Sequence, residues 1–423
     1  MPGAPRSGPT MARAHNTTAD PALDAAALLR RIGFFGLFVV LPVLAQVARR
    51  AAVILGPIAV ILLVIASAID GRQRPVRPGL AALVRSPAFL AGLLVLAWSA
   101  LSVAWTPFPS QAVERLLNVL ATVGLTVLAY FALPDRMRSA NLYLLPLGMT
   151  AAAIVAILLG LFGDTLLQGA PDDDNALDRG LVLLALLVWP AVAWLRSRRR
   201  DIEALAVAVL VAVALVVSPS STQVLALAMG AFAFAATTLS PAWGVRLTAA
   251  FTAGILALAP ILPFIGRPIL AAVLGPVAPS VLSLKAWQKV VTTEPVRLVT
   301  GHGFETALRG RLVGLVPTNA PTTAFFEFWY ELGIVGAFAA AFALYTSIRY
   351  AGRTAPVLVP GVVAAFATAY TIAGIGVGLT VMWWLTSLAI TVLVFVAIAR
   401  GQFRTRRPKA GLLRRFREGP AEA

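Results

Sequence analysis

The residues best suited to chemistry lie close together, late in the chain. His302 sits between Gly301 and Gly303, with Glu305 just beyond. A neutral imidazole is the usual proton acceptor near neutral pH, and flanking glycines admit a tight turn and a close-lying ligand. The plainer reading is an exposed turn histidine. Glu327 and Glu331 are spaced to share one helix face, in a stretch otherwise built of Phe, Trp, Tyr and Leu. Ionised groups in such a setting face a polar cavity or a partner. Glu327 is therefore a candidate base, and Glu331 reads better as half of a structural ion pair. Arg115, Arg179, Arg267, Arg297, Arg309 and Arg311 complete the set. Guanidinium forks bind phosphate oxygens through paired hydrogen bonds and keep their charge. For each the competing role is an interfacial snorkel or a salt bridge, such as Arg179 with Asp178 or Asp174.

Other chemistries find little support. Only two histidines and no cysteines are present, so a metal centre is not expected; Asp172-Asp173-Asp174 reads as an exposed acidic turn. No phosphate-cradling Gly-Lys-Ser/Thr loop appears, which argues against ATP, and no cofactor is expected. Ser218, Ser220, Ser221 and Thr222 have no His or Asp arranged to activate them as a triad, and read as helix caps, as do Asn319, Thr322 and Thr323.

The elements that position these groups are hydrophobic helices. Of 423 residues, 59% are hydrophobic and 13% charged, where soluble domains carry about 25% charged residues. The apolar runs are continuous rather than alternating, which predicts an all-α polytopic membrane protein rather than a barrel. About twelve transmembrane helices are expected. They fall near Ile32–Ala48, Ala51–Ile69, Ala88–Ala104, Arg115–Leu133, Leu142–Phe162, Gly180–Leu195, Ile202–Val217, Thr222–Leu239, Leu247–Ile265, Ala324–Ile348, Pro356–Ala373 and Gly378–Ala399. The first two, joined by Arg49-Arg50, also fit one broken hairpin.

The net charge of +17 comes largely from arginines in alternate loops. Arg30-Arg31, Arg72, Arg74, Arg77, Arg85, Arg136, Arg138, Arg196, Arg198, Arg199, Arg200, Arg246, Arg349, Arg353 and the tail from Arg400 share one side under this count. Short-loop arginine marks the cytoplasm, so both termini are expected there, with membrane lipid rather than nucleic acid as the anionic partner. The domain plan is then a disordered cytoplasmic tail (1–31), nine helices (32–265), a large periplasmic loop (266–323), three helices (324–399) and a basic cytoplasmic tail (400–423). Within the loop, Val281, Leu284, Trp287, Val290 and Val291 lie on one helical face and predict an amphipathic interfacial helix.

This arrangement resembles the O-antigen ligase and O-antigen polymerase family of bacterial inner-membrane glycosyltransferases. Ala324 to Gly333, with Gly336, is similar to the later part of that family's loop-to-span motif. Leu284-Lys285-Ala286-Trp287, Glu294-Pro295 and Gly301-His302-Gly303-Phe304 resemble its Trp, Pro and Gly-x-Gly-Phe landmarks. Asp178-Arg179-Gly180 with Trp189-Pro190 resembles its arginine-bearing span start, and Ser218 to Gln223 its Ser-rich turn. The chain departs at one position: the family's histidine falls at Thr322, its asparagine neighbour at Thr323, and an arginine before the Trp at Ser283.

The resemblance implies metal-independent, inverting transfer of a glycan from an undecaprenyl-diphosphate-linked donor to a periplasmic acceptor, either a growing glycan or lipid A core. Arg179, Arg297, Arg309, Arg311 and Arg115 are the expected diphosphate ligands, and His302 or Glu327 the replacement base. Two other readings stay open: a transporter or flippase of a lipid-linked or anionic solute, and a catalytically silent scaffold in an envelope-polysaccharide complex.

Overall fold

The computed structural model describes residues 21–71, 84–166, 176–218, 221–353, 355–378 and 380–402. Arg72, Arg74, Arg77, Asp172-Asp173-Asp174, Ser220 and the basic tail beyond residue 402 lie outside them, as does the first part of the N-terminal tail. The described residues are helical throughout, with no strand, and a helix overlies each predicted apolar run.

In chain order these are α1 (Pro21–Leu44), α2 (Ala51–Ile69), α3 (Pro87–Ser102), α4 (Pro109–Ala132), α5 (Ser139–Leu166), α6 (Ala176–Ser197), α7 (Asp201–Val217) and α8 (Ser221–Leu239). There follow α9 (Pro241–Ala257), α10 (Leu262–Leu274), α11 (Pro279–Thr293), the short α12 (Arg297–Thr300) and α13 (Thr306–Leu312), then α14 (Ala324–Ala351), α15 (Val359–Ile375) and α16 (Met382–Arg400). Eight of these, α1, α2, α4, α5, α6, α8, α14 and α16, are long and apolar enough to cross a membrane. This makes the chain a polytopic helical membrane protein. The bent pair α9–α10 adds a ninth if counted as one span, and α3 and α15 are shorter apolar helices.

The core is organised around α6, whose residues from Gly180 to Leu195 are all buried. A helix apolar on every side is stable only when wrapped on every side. Inside the core the indole of its Trp189 donates to Thr368 Oγ1 of α15 at 2.7 Å.

Two helices depart most from the predicted boundaries. The first starts at Pro21, well before Ile32, so residues 21–31 belong to α1. Asp24 in its first turn complements the helix dipole, and Arg30 reaches Asp70 at the end of α2 at 2.9 Å. The predicted span Leu247–Ile265 ends instead at Ala257, and α10 leaves at 63° after a 3-10 turn. Pro260 has no N–H for the carbonyl of Leu256, one helical turn earlier. The indole of Trp329 donates to that carbonyl at 2.8 Å, so the break is both caused and satisfied.

Polar contacts join several of the described loops in two groups. At one end Arg198 donates to Gly401 O at 2.8 Å, Arg400 donates to the carbonyls of Leu133 and Tyr130, and Gln402 reaches Ser197. At the other end Arg179 reaches Arg49 O at 3.3 Å and Gln223 reaches Asp178 O at 3.4 Å. There too Thr106 meets Phe304 and Thr380 meets Glu305.

Candidate active site at a broken helix

The site begins with a fault in α14. Gly333 has φ 61° and ψ −159°, a conformation essentially closed to residues with a side chain, and it interrupts the helix. The carbonyls just before the break find donors elsewhere. Tyr330 O accepts from His302 N at 2.8 Å, Glu331 O from Gly303 N at 3.0 Å, and Leu332 O from Trp98 Nε1 at 2.8 Å. A carbonyl left unpaired in an apolar surround costs several kcal/mol, so these donors hold the loop and the helix together. Gly301, with φ 75°, lies against this surface: a Cβ there would fall 2.1 Å from Glu331 O.

The far side of the loop is fixed to the turn after α3. Phe304 N donates to Ser102 Oγ at 3.1 Å, and Thr106 Oγ1 donates to Phe304 O at 2.9 Å. These anchors deliver three carboxylates to one buried region. Glu305 is 1% exposed, Glu327 5% and Glu331 2%.

Glu305 is the most constrained. It adopts a left-handed backbone, φ 65°, rare for a residue with a side chain. Its Oε2 accepts from Thr380 at 3.1 Å and lies 3.5 Å from Arg115 Nε, while Oε1 lies 3.8 Å from Arg309 Nε. Burial pushes its carboxyl above the ordinary value of 4.5, against the pull of Arg115, Thr380 and Arg309. A raised carboxyl pKa means that the folded protein binds more protons than the unfolded chain, so this contribution to stability falls as pH rises above about 4.5 and levels off beyond the folded value. The Glu305→Gln variant is expected to lack that slope. Thermal unfolding of both proteins across this pH range checks it; parallel curves would contradict it.

Glu331 Oε1 accepts from Ala307 N at 3.0 Å, tying α13 to α14. Glu327 lies beside the segment before α16: a methyl group on Gly378 would lie 2.7 Å from its Oε1. Nearby, Ala324 N donates to Val377 O at 3.0 Å. Arg311 donates to Pro321 O and lies over the Phe326 ring, 6.0 Å from its centre. Burial pushes its guanidinium down from the usual value, opposed by the charges of Glu327 and Glu331. Its Nε is buried and makes no hydrogen bond among the described residues.

The structure thus brings together Glu327, Glu331, Glu305, Arg115, Arg309 and Arg311. Arg179 stands at the same end of the bundle, over the Trp383 ring at 5.4 Å, on the helix that follows Thr380. Arg297 is exposed on α12. His302 stacks on Tyr330 with ring centres 4.0 Å apart and planes 9° from parallel. Its Nδ1 faces Tyr330 O at 3.0 Å and its Nε2 faces Glu294 Oε2 at 2.9 Å. Both nitrogens therefore meet oxygen acceptors, the geometry of a positioned side chain more than of a base awaiting substrate. Thr322 is exposed, and Thr323 caps α14 by accepting from Phe326 N at 3.4 Å.

Sequence reading missed Trp98, Thr106 and Thr380, single polar groups whose partners lie in distant parts of the chain. It also missed Glu294 as the partner of His302, although the two are only eight positions apart. No protein-family model matches this chain, no curated protein is detectably similar to it, and no solved structure matches it.

Proposed function

We propose that this chain is a bacterial inner-membrane glycosyltransferase of the O-antigen ligase or polymerase type. It moves a glycan from undecaprenyl diphosphate to the hydroxyl of a periplasmic acceptor, with about twelve spans and both termini cytoplasmic. The observation that supports this most is Arg311: a half-buried guanidinium whose buried Nε donor is unspent, beside Glu327 and Glu331 at one end of an apolar bundle.

In this reading Glu327 takes the proton of the acceptor hydroxyl as its oxygen attacks the anomeric carbon. The bond from that carbon to the diphosphate oxygen breaks, with inversion. Arg311 and Arg179 receive the charge that develops on the leaving diphosphate. Arg115 and Arg309 are occupied by Glu305 and hold the floor of the site. His302 shapes the turn that satisfies the broken helix, and the exposure of Thr322 fits a base that has moved to Glu327.

Proteoliposomes containing the chain, a synthetic undecaprenyl-diphosphate glycan and an acceptor glycan are the direct test. Transfer is expected to drop about 100-fold or more in Glu327→Gln and in Arg311→Gln, with His302→Gln milder. Passage of labelled donor across the bilayer without product would make the chain a transporter. Wild-type transfer in both variants would remove the catalytic assignment.

A further inference from the structure

A separate feature lies on the outer side of the same loop. Between α11 and the segment 317–319 runs a groove of about 530 Å³. Arg267, Lys285 and Lys289 line it together with Gln288, Thr292 and Asn319. Lys285 and Lys289 are one helical turn apart on the exposed side of α11, and like charges at that spacing repel. Among the described residues no carboxylate pairs with either lysine or with Arg267. Arg267 is held in place by its 2.8 Å hydrogen bond to Gln288 Oε1. The opposite face of α11 is buried through Val281 and Trp287, so the helix cannot turn its lysines away.

We propose that this groove binds the phosphate or carboxylate group of a saccharide, as an anion site distinct from the arginine–glutamate cluster. Three cations without counter-charges supply the attraction for an oxyanion. Gln288 Oε1 accepts from Arg267, Asn319 Nδ2 donates to Leu282 O and the Thr292 hydroxyl donates to Gln288 O; the Gln288 amide N–H groups, the Asn319 amide oxygen and the Thr292 lone pairs left over match the mixed donors and acceptors of a sugar ring. The volume exceeds what a lone phosphate fills. The groove and the cluster are joined by one short segment: Pro317 and Asn319 line the groove, and Pro321 accepts from Arg311. A sugar chain seated here would lie alongside the cluster, whether or not the protein transfers glycans.

The test is a titration of tetragalacturonate against the full chain in phosphatidylcholine nanodiscs. Wild type is expected to bind it, with affinity falling as salt is raised. Lys285→Gln/Lys289→Gln is expected to bind at least about tenfold more weakly, the scale of even one lost charge-assisted hydrogen bond. Lys285→Arg/Lys289→Arg is expected to restore binding. Among the described residues neither ammonium group makes a hydrogen bond or ion pair, so both variants are expected to melt like wild type. Undetectable binding to wild type, or equal binding to the Gln variant, overturns the proposal. So does equal binding of neutral cellotetraose. Inorganic phosphate binding as tightly would reduce the groove to a bare anion site. Competition by phosphatidylglycerol added to the disc would make it a lipid-headgroup site. Either result overturns the saccharide assignment.

Discussion

Gly333→Ala is expected to cost about 3 kcal/mol or more of stability and to abolish any activity of the loop. The backbone there is open only to glycine, which alone is worth about 1–3 kcal/mol when violated. A Cβ would also lie 2.5 Å from Val299 O and 2.6 Å from Gly301 N, both backbone atoms that no rotamer change can move. Relief requires the loop 299–303 to lift from α14, which breaks the hydrogen bonds from His302 N and Gly303 N. Gly254→Ala on α9 is the control, since nothing lies within 4 Å of the added methyl. It is expected to be neutral or stabilising by up to about 1 kcal/mol. Thermal unfolding in detergent measures both; equal melting of the two variants would show that the break tolerates a side chain.

Arg115→Leu should cost about 2–4 kcal/mol. Removing one partner of a buried ion pair leaves a charge that the protein cannot solvate. The low side of that range applies because the Arg115 side chain keeps 22% of its surface exposed, whereas Glu305 keeps 1%. Glu305 would retain only Thr380 and the longer contact to Arg309. Pairing the change with Glu305→Gln removes the stranded charge, and the double variant is expected to regain a good part of the loss. A double-mutant cycle on unfolding free energies reads this directly. Strict additivity would mean that the 3.5 Å contact carries no energy.

How far the sequence revealed this arrangement depended on the kind of signal. Apolar runs near bilayer length are strong, local and repeated, so each predicted run has its helix. The spacing of Glu327 and Glu331 and the glycines around His302 pointed to the right region for the same reason. The break at Leu258 was harder, because a window average over Leu247–Ile265 hides Pro260 and Pro263 inside an otherwise unbroken apolar composition. Glu305 was noticed only as a neighbour of His302. Its burial arises from Thr106, Arg115 and Thr380, groups far apart in the chain, and no spacing rule links them. The pairing of His302 with Glu294 and Tyr330 O likewise depends on how α12 folds back onto α14.

The order in which the chain is synthesised gives the break in α14 a different significance. Trp98 and residues 301–303, which satisfy its freed carbonyls, all precede it, so that repair is complete as soon as α14 inserts. The carboxylates are less fortunate. Glu305 waits for Thr380 and Glu327 for the segment around Gly378, which are translated only after α15. During biogenesis, the half-inserted protein therefore holds a finished backbone and an unfinished polar cluster. Arrest of translation before residue 377 should yield a species with Glu305 and Glu327 open to carbodiimide labelling, and release of the full chain should close them.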